Sequence, residues 1–275
     1  MSSLVEINDL TVDYGTRRHT KRALDAVTLD VRPGETLGLV GESGSGKSTL
    51  GKAVLGQVPI TAGSITFDGA DITHLDGRGR RALSQRIQVV FQNPYLSLNP
   101  QRTVAQSVAE TLTTQRDLST GEVRRRVLET LEQVGIDPGA ADRYPAAFSG
   151  GQRQRIAIAR ALLPRPDLVI CDEAVSALDL SIQAQVLNLL VELQDELGLA
   201  YLFITHDLSV VRHLCHRVVV LRDGEVVEKG DTAAVCDRPR EDYTRRLLAS
   251  APIADPDAQA LARAARRSAD IPAPA

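Results

Sequence analysis

The chain has 275 residues, of which 43% are hydrophobic and 24% charged, with a formal net charge of -3. These proportions belong to an ordinary globular protein and exclude collagen-like, disordered and disulfide-rich classes. The near-balanced charge supplies no molecule-wide basic field, so nucleic acid is not an expected partner.

The opening, MSSLVEINDLTVDYG, has no basic segment followed by an apolar one, and no apolar run in the chain approaches the ~18 residues of a membrane span. The chain is therefore expected to carry neither signal peptide nor transmembrane segment. LVEINDLTVDY (4–14), RALDAVTLDVRPGE (22–35) and SITFDG (64–69) alternate apolar with polar residues between Gly, Pro and Asp, which predicts a small antiparallel sheet. The denser apolar runs 36–40, 87–91, 168–172, 200–205 and 217–221 predict buried strands separated by helices, hence an α/β core with a mostly parallel sheet.

Between 93 and 165 the pattern turns helical, in VAQSVAETL, EVRRRVLETLEQVG and QRQRIAIARALL, and predicts a helical subdomain inserted in the core. The expected organisation is a nucleotide-binding core over 1–92 and 166–236, the insertion over 93–165, and a C-terminal extension over 237–275 ending in a disordered tail. Cys171, Cys215 and Cys236 show neither disulfide nor zinc spacing and are expected as reduced thiols.

Gly41-Glu-Ser-Gly-Ser-Gly-Lys-Ser48 fits G-x-x-x-x-G-K-S/T between an expected strand and helix. Glycines there let backbone N–H groups converge on phosphate oxygens at the positive end of a helix. Lys47 suits the β and γ phosphates of ATP, and the Ser48 hydroxyl suits Mg²⁺. The strand 168–172 ends on Asp172, suited to Mg²⁺, and Glu173, placed to polarise an attacking water. Ser149, Gly150, Gly151 and Gln152 precede a helical stretch, and a hydroxyl, glycine N–H groups and a helix N-terminus together suit an anion.

In this order, GESGSGKS, FQNP (91–94), FSGGQRQR (148–155) and LVICDE (168–173) resemble the ABC-type ATPases, over roughly 4–252. The resemblance implies a P-loop NTPase (RecA-like) core. It also implies ATP contacts from Gly41, Ser43, Gly44, Gly46, Lys47, Ser48 and Thr49, with Tyr14 stacking on adenine; core packing is the competing role for Tyr14. Gln92 would reach Mg²⁺ and the water, His206 would be the switch histidine orienting Glu173, and Asp179 would stand in the D-loop. Ser149 to Gln152 would contact ATP held by a second, identical or related ATPase subunit.

FQNPYLSLNP, RYPAAFSGGQRQRIAIARAL, DEAVSALDLSIQAQVLNLL and EDYTRRLLASAP resemble the ATP-binding subunits of bacterial dipeptide, oligopeptide and nickel importers. That branch implies a peripheral ATPase at the cytoplasmic face of the membrane, served by permease subunits and an extracellular solute-binding protein, with peptides as the leading cargo. Phe148 replaces the leucine that usually opens the signature, and the absence of cysteine after Cys236 predicts no iron–sulfur cluster. Two other readings compete. One is a soluble ABC ATPase of DNA repair or translation; the other is a regulatory subunit that binds ATP without hydrolysing it, which the filled positions Glu173 and His206 argue against.

Overall fold

The structure is a computed structural model and describes residues 3–16, 19–92, 97–112 and 118–250. Asn93 and Pro94 of the FQNP segment and the expected disordered tail lie outside the described residues.

Two sheets carry the fold. In the first, β1 (Val5–Thr16), β2 (His19–Val31), β4 (Ala62–Phe67) and β5 (Ala70–Asp71) run antiparallel in the order β2-β1-β4-β5. The register sets Val5 against Val31, Ile7 against Leu29 and Val12 against Leu24, so the alternating apolar residues share one buried face. Asp9 and Ala26 take left-handed backbone angles, φ 49° and 47°, beside the register shifts, where bulges bend the ribbon.

The second sheet has the order β10-β9-β3-β8-β7-β6, with β3 (Thr36–Val40), β6 (Ile87–Phe91), β7 (Leu168–Asp172), β8 (Ala200–Thr205) and β9 (Arg217–Arg222) parallel. Every residue of β3 and β8 is buried, which explains their uninterrupted apolar sequence: both faces of a parallel sheet are covered. β10 (Glu225–Asp231) adds an antiparallel edge that the periodicity did not predict. The cue was Asp223-Gly224, both at positive φ, a dipeptide suited to a two-residue hairpin turn.

The apolar core between the two sheets also takes in α1 (Lys47–Val54). A second core joins the other face of the large sheet to α3 (Val104–Ala109), α4 (Thr120–Gln133), α5 (Gly150–Leu162), α6 (Leu180–Leu197) and α7 (Leu208–Leu214). A short α2 (Gly77–Leu83) precedes β6, and α8 (Thr232–Asp237) and α9 (Asp242–Ser250) close the described chain. Tyr243 and Leu247 of α9 are buried in this second core, so α9 packs as part of the body. The cysteines are free and buried, and burial pushes the Cys171 thiol up to about 12. Among the described residues, no helix is long and apolar enough to cross a membrane.

Candidate nucleotide-binding site

β3 delivers the chain into the loop 41–46, and α1 begins at Lys47. Only glycine fits the two ends of that loop. A Cβ on Gly41 would lie 2.1 Å from the Leu221 carbonyl oxygen, and one on Gly46, at φ 107°, would lie 2.6 Å from that of Ala23. The loop is thus pressed against β9 and β2.

Lys47 is 5% exposed and its Nζ donates to the carbonyl oxygens of Gly41 and Glu42, both at 2.8 Å. Burial lowers its pKa, against the attraction of Glu173, Asp172 and Glu42. The Ser45 hydroxyl is buried in the same loop without a partner among the described residues. From α1, Ser48 Oγ donates to Asp172 Oδ1 at 3.0 Å. Burial raises the Asp172 carboxyl above its ordinary range and the Glu173 charge adds to this, while the Ser48 hydrogen bond, Lys52 and Lys47 pull the other way.

Glu173 takes a left-handed backbone angle, φ 51°, and its N–H donates to Ile204 O at 2.9 Å. The Ser176 N–H and Oγ both donate to the Glu173 carbonyl, at 3.1 and 3.0 Å. This turn aims the side chain across to His206, just past β8, whose Nδ1 lies 3.3 Å from Glu173 Oε1. Two neighbouring clefts meet at Ser48 and Glu173. One, of about 420 Å³, is lined by Tyr14, Ser43, Gly44, Gly46, Lys47, Ser48, Thr49 and Glu173. The other, of about 690 Å³, is lined by Ser48, Phe91, Gln92, Asp172 and Glu173. Tyr14 is 38% exposed at the first cleft and so is not a core residue.

Lys21, Arg22, Ala23 and Asp223 also line the first cleft, although no motif in the sequence marks them. They come from the β1–β2 ribbon and the β9–β10 turn, and only the packing of the two sheets brings them there. Ser149, Gly150, Gly151 and Gln152 line neither cleft. Ser149 caps α5, accepting from Gln152 N–H at 3.3 Å while its own N–H donates to Gln152 Oε1 at 3.0 Å. Asp179 caps α6, accepting from Ile182 N–H at 3.0 Å and from Ser181 Oγ at 3.1 Å.

The donors suit a nucleotide and a hard cation. The loop offers phosphate a buried ammonium and, among the described residues, an unpartnered hydroxyl, ahead of a helix N-terminus, and Ser48 with Asp172 offers the oxygen ligands that Mg²⁺ prefers.

A family model described as ABC transporter matches residues 24–176. A "Putative peptide import ATP-binding protein" of Brucella ovis is 47% identical over 272 residues, covering 99% of this chain and 85% of that protein. The "Glutathione import ATP-binding protein GsiA" of Pectobacterium atrosepticum is 51% identical over 234 residues, 85% of this chain and 38% of that protein. Among solved structures, cbiO1 from Clostridium perfringens, part of the ABC transporter complex cbiONQ, superposes with a TM-score of 0.78 at 31% identity, over 86% of this chain and 92% of that one. The dimeric, post-hydrolysis ATP-binding cassette MJ0796 bound to ADP and Pi superposes at 0.74 with 32% identity, over 83% of this chain and 98% of that one. By sequence along nearly its whole length and by fold, the chain belongs to the ABC transporter family, as an ATP-binding subunit with ATPase activity.

Proposed function

We propose that the chain is the ATP-hydrolysing subunit of an importer for peptides or related small solutes, at the cytoplasmic face of the membrane beneath separate permease subunits. The observation that supports this reading is that the candidate nucleotide-binding residues of this chain fall into two separate groups. The phosphate loop, the Ser48–Asp172 pair and the Glu173–His206 pair converge at the carboxyl ends of β3, β7 and β8, while Ser149 to Gln152 stand outside both clefts. A second subunit, identical or related, would supply the missing half and receive the same in return.

Tyr14 stacks on adenine, and Lys47 exchanges its two loop carbonyls for the β and γ phosphates. Ser48, Asp172 and Gln92 would hold Mg²⁺, which when bound neutralises charge on the phosphate oxygens. Across the interface, the Ser149 hydroxyl and the amides of Gly150 and Gly151 meet the γ-phosphate, with Gln152 beside them and Asp179 at the neighbouring helix start. Glu173, held by His206, takes the proton of the attacking water; the water oxygen bonds to the γ-phosphorus and ADP leaves. Cleavage ends the link between the two subunits, which separate in a ligand-driven two-state cycle. Gln92, at the cleft, precedes the helical insertion, where a permease helix would be received and rocked. Cargo would reach the permease from an extracellular solute-binding protein. The names of the relatives, one for peptide import and one for glutathione import, support this class of cargo.

The test is Glu173→Gln, trapped with Mg-ATP in native membranes and recovered in detergent. ATP binding should persist, closed dimers should accumulate, and turnover should fall by about a hundredfold or more. Multi-span permeases, a second ATPase and a tethered binding protein should co-purify. Unchanged turnover sinks the role of Glu173, and recovery of nucleic acid, ribosomes or the chain alone sinks the import reading.

A further inference from the structure

The late segment 241–250 lines neither cleft, yet it reaches the phosphate loop. Tyr243, in the first turn of α9, is 5% exposed, and its hydroxyl oxygen accepts from the Glu42 N–H at 3.2 Å. The carbonyl of that same Glu42 accepts from Lys47 Nζ at 2.8 Å. One residue of the loop is therefore held by its N–H from α9 and by its carbonyl from Lys47.

Tyr243 is itself fixed from two directions. The Arg222 guanidinium, at the end of β9, lies 5.1 Å from the centre of its ring. The Glu228 carboxylate of β10 accepts from the N–H groups of Arg240, at 2.8 Å, and Glu241, at 3.3 Å, and so seats the start of α9. These contacts run from β10 through α9 to the loop without passing through any residue assigned to catalysis.

We propose that Tyr243 is a positioning residue for ATP binding: through the Glu42 amide it holds the phosphate loop in the shape that places Lys47, and so makes α9 part of the nucleotide site. The inference rests on the ATPase reading and extends it to an element that touches no phosphate. Without the hydroxyl, the Glu42 N–H loses its partner and the loop gains freedom that nucleotide binding must remove.

The test is Tyr243→Phe in the full chain, which keeps the ring and its stacking and deletes only the acceptor. The KM for ATP and the dissociation constant of Mg-ADP should both rise roughly fivefold, the weight of part of one hydrogen bond, while kcat changes less than twofold. Amide hydrogen exchange over 41–46 in the nucleotide-free protein should quicken, with the unfolding midpoint and exchange elsewhere as in the native chain. Unaltered nucleotide affinity and loop exchange overturn the proposal, as does a lowered midpoint with exchange raised throughout. A native chain without ATP turnover overturns the ATPase reading instead, which the affinity ratio for Mg-ADP leaves separately readable.

Discussion

Asp172 illustrates the cost of a binding site at the scale of one residue. Burial and the adjacent Glu173 raise its pKa, so the fold binds its proton more tightly than the unfolded chain does. For an acid shifted this way, the stabilising contribution is fully present below the unfolded pKa and is lost as pH rises through the folded one; at neutral pH, ionised Asp172 opposes folding. Asp172→Asn keeps an acceptor for Ser48 Oγ and removes that charge. We expect the nucleotide-free variant to melt higher than the native chain at pH 7 and to lose ATP hydrolysis. A calorimetric midpoint paired with a phosphate-release assay checks both halves. Glu173 carries a second local cost, since a left-handed non-glycine residue is worth about 1 kcal/mol or more of strain. Its bonds to Ile204 and Ser176 hold that conformation and aim the carboxylate toward His206.

At the scale of elements, the meeting of α5 with α6 controls where the signature segment points. Gly151 lies in the first turn of α5, and a Cβ there would sit 2.4 Å from Ile182 Cγ2 in the first turn of α6. Ser149 and Asp179 cap these two helices, so the contact couples the starts of both. Gly151→Ala forces them apart. It should cost about 2 kcal/mol, in the range of an overpacked core position, measured as a shift in denaturant midpoint. Ile182→Ala in the same chain should recover most of that loss, because it removes the methyl group that the new Cβ meets.

For the molecule as a whole, the two sheets must hold a fixed angle, because the first cleft takes Tyr14 from one sheet and the phosphate loop from the other. Their apolar interface is joined at one end by Arg217 of β9. Its Nη2 lies 2.9 Å from Asp30 Oδ1 of β2, and its Nη1 donates to both Glu35 oxygens at 3.2 Å. The Arg217 side chain is 15% exposed and that of Glu35 8%, so removing the cation leaves a mostly buried acid with the Arg32 N–H, at 2.9 Å, but without its ion pair. Arg217→Ala should lower unfolding free energy by about 2 kcal/mol, discounted for the more exposed Asp30. Urea denaturation followed by circular dichroism would read it.

Much of this was legible because it is local. Apolar alternation followed the pleat of β1, β2 and β4, and unbroken apolar runs marked strands covered on both faces. The phosphate loop was readable because its chemistry lies within eight consecutive residues, where glycine is required by the close approach of Leu221 and Ala23. The edge strand β10 escaped because one half-exposed strand has weak periodicity, although Asp223-Gly224 announced its turn. The elements, the glycines and the acids at the strand ends were readable from residue order, since each answers to neighbours a few residues away. Packing alone settles that Ser48 meets Asp172, that Glu173 meets His206 and that the Glu42 N–H meets the Tyr243 hydroxyl, and it leaves Ser149 to Gln152 outside both clefts. Those pairings join residues 33 to 201 positions apart, and distances of that kind are set by how sheets and helices pack.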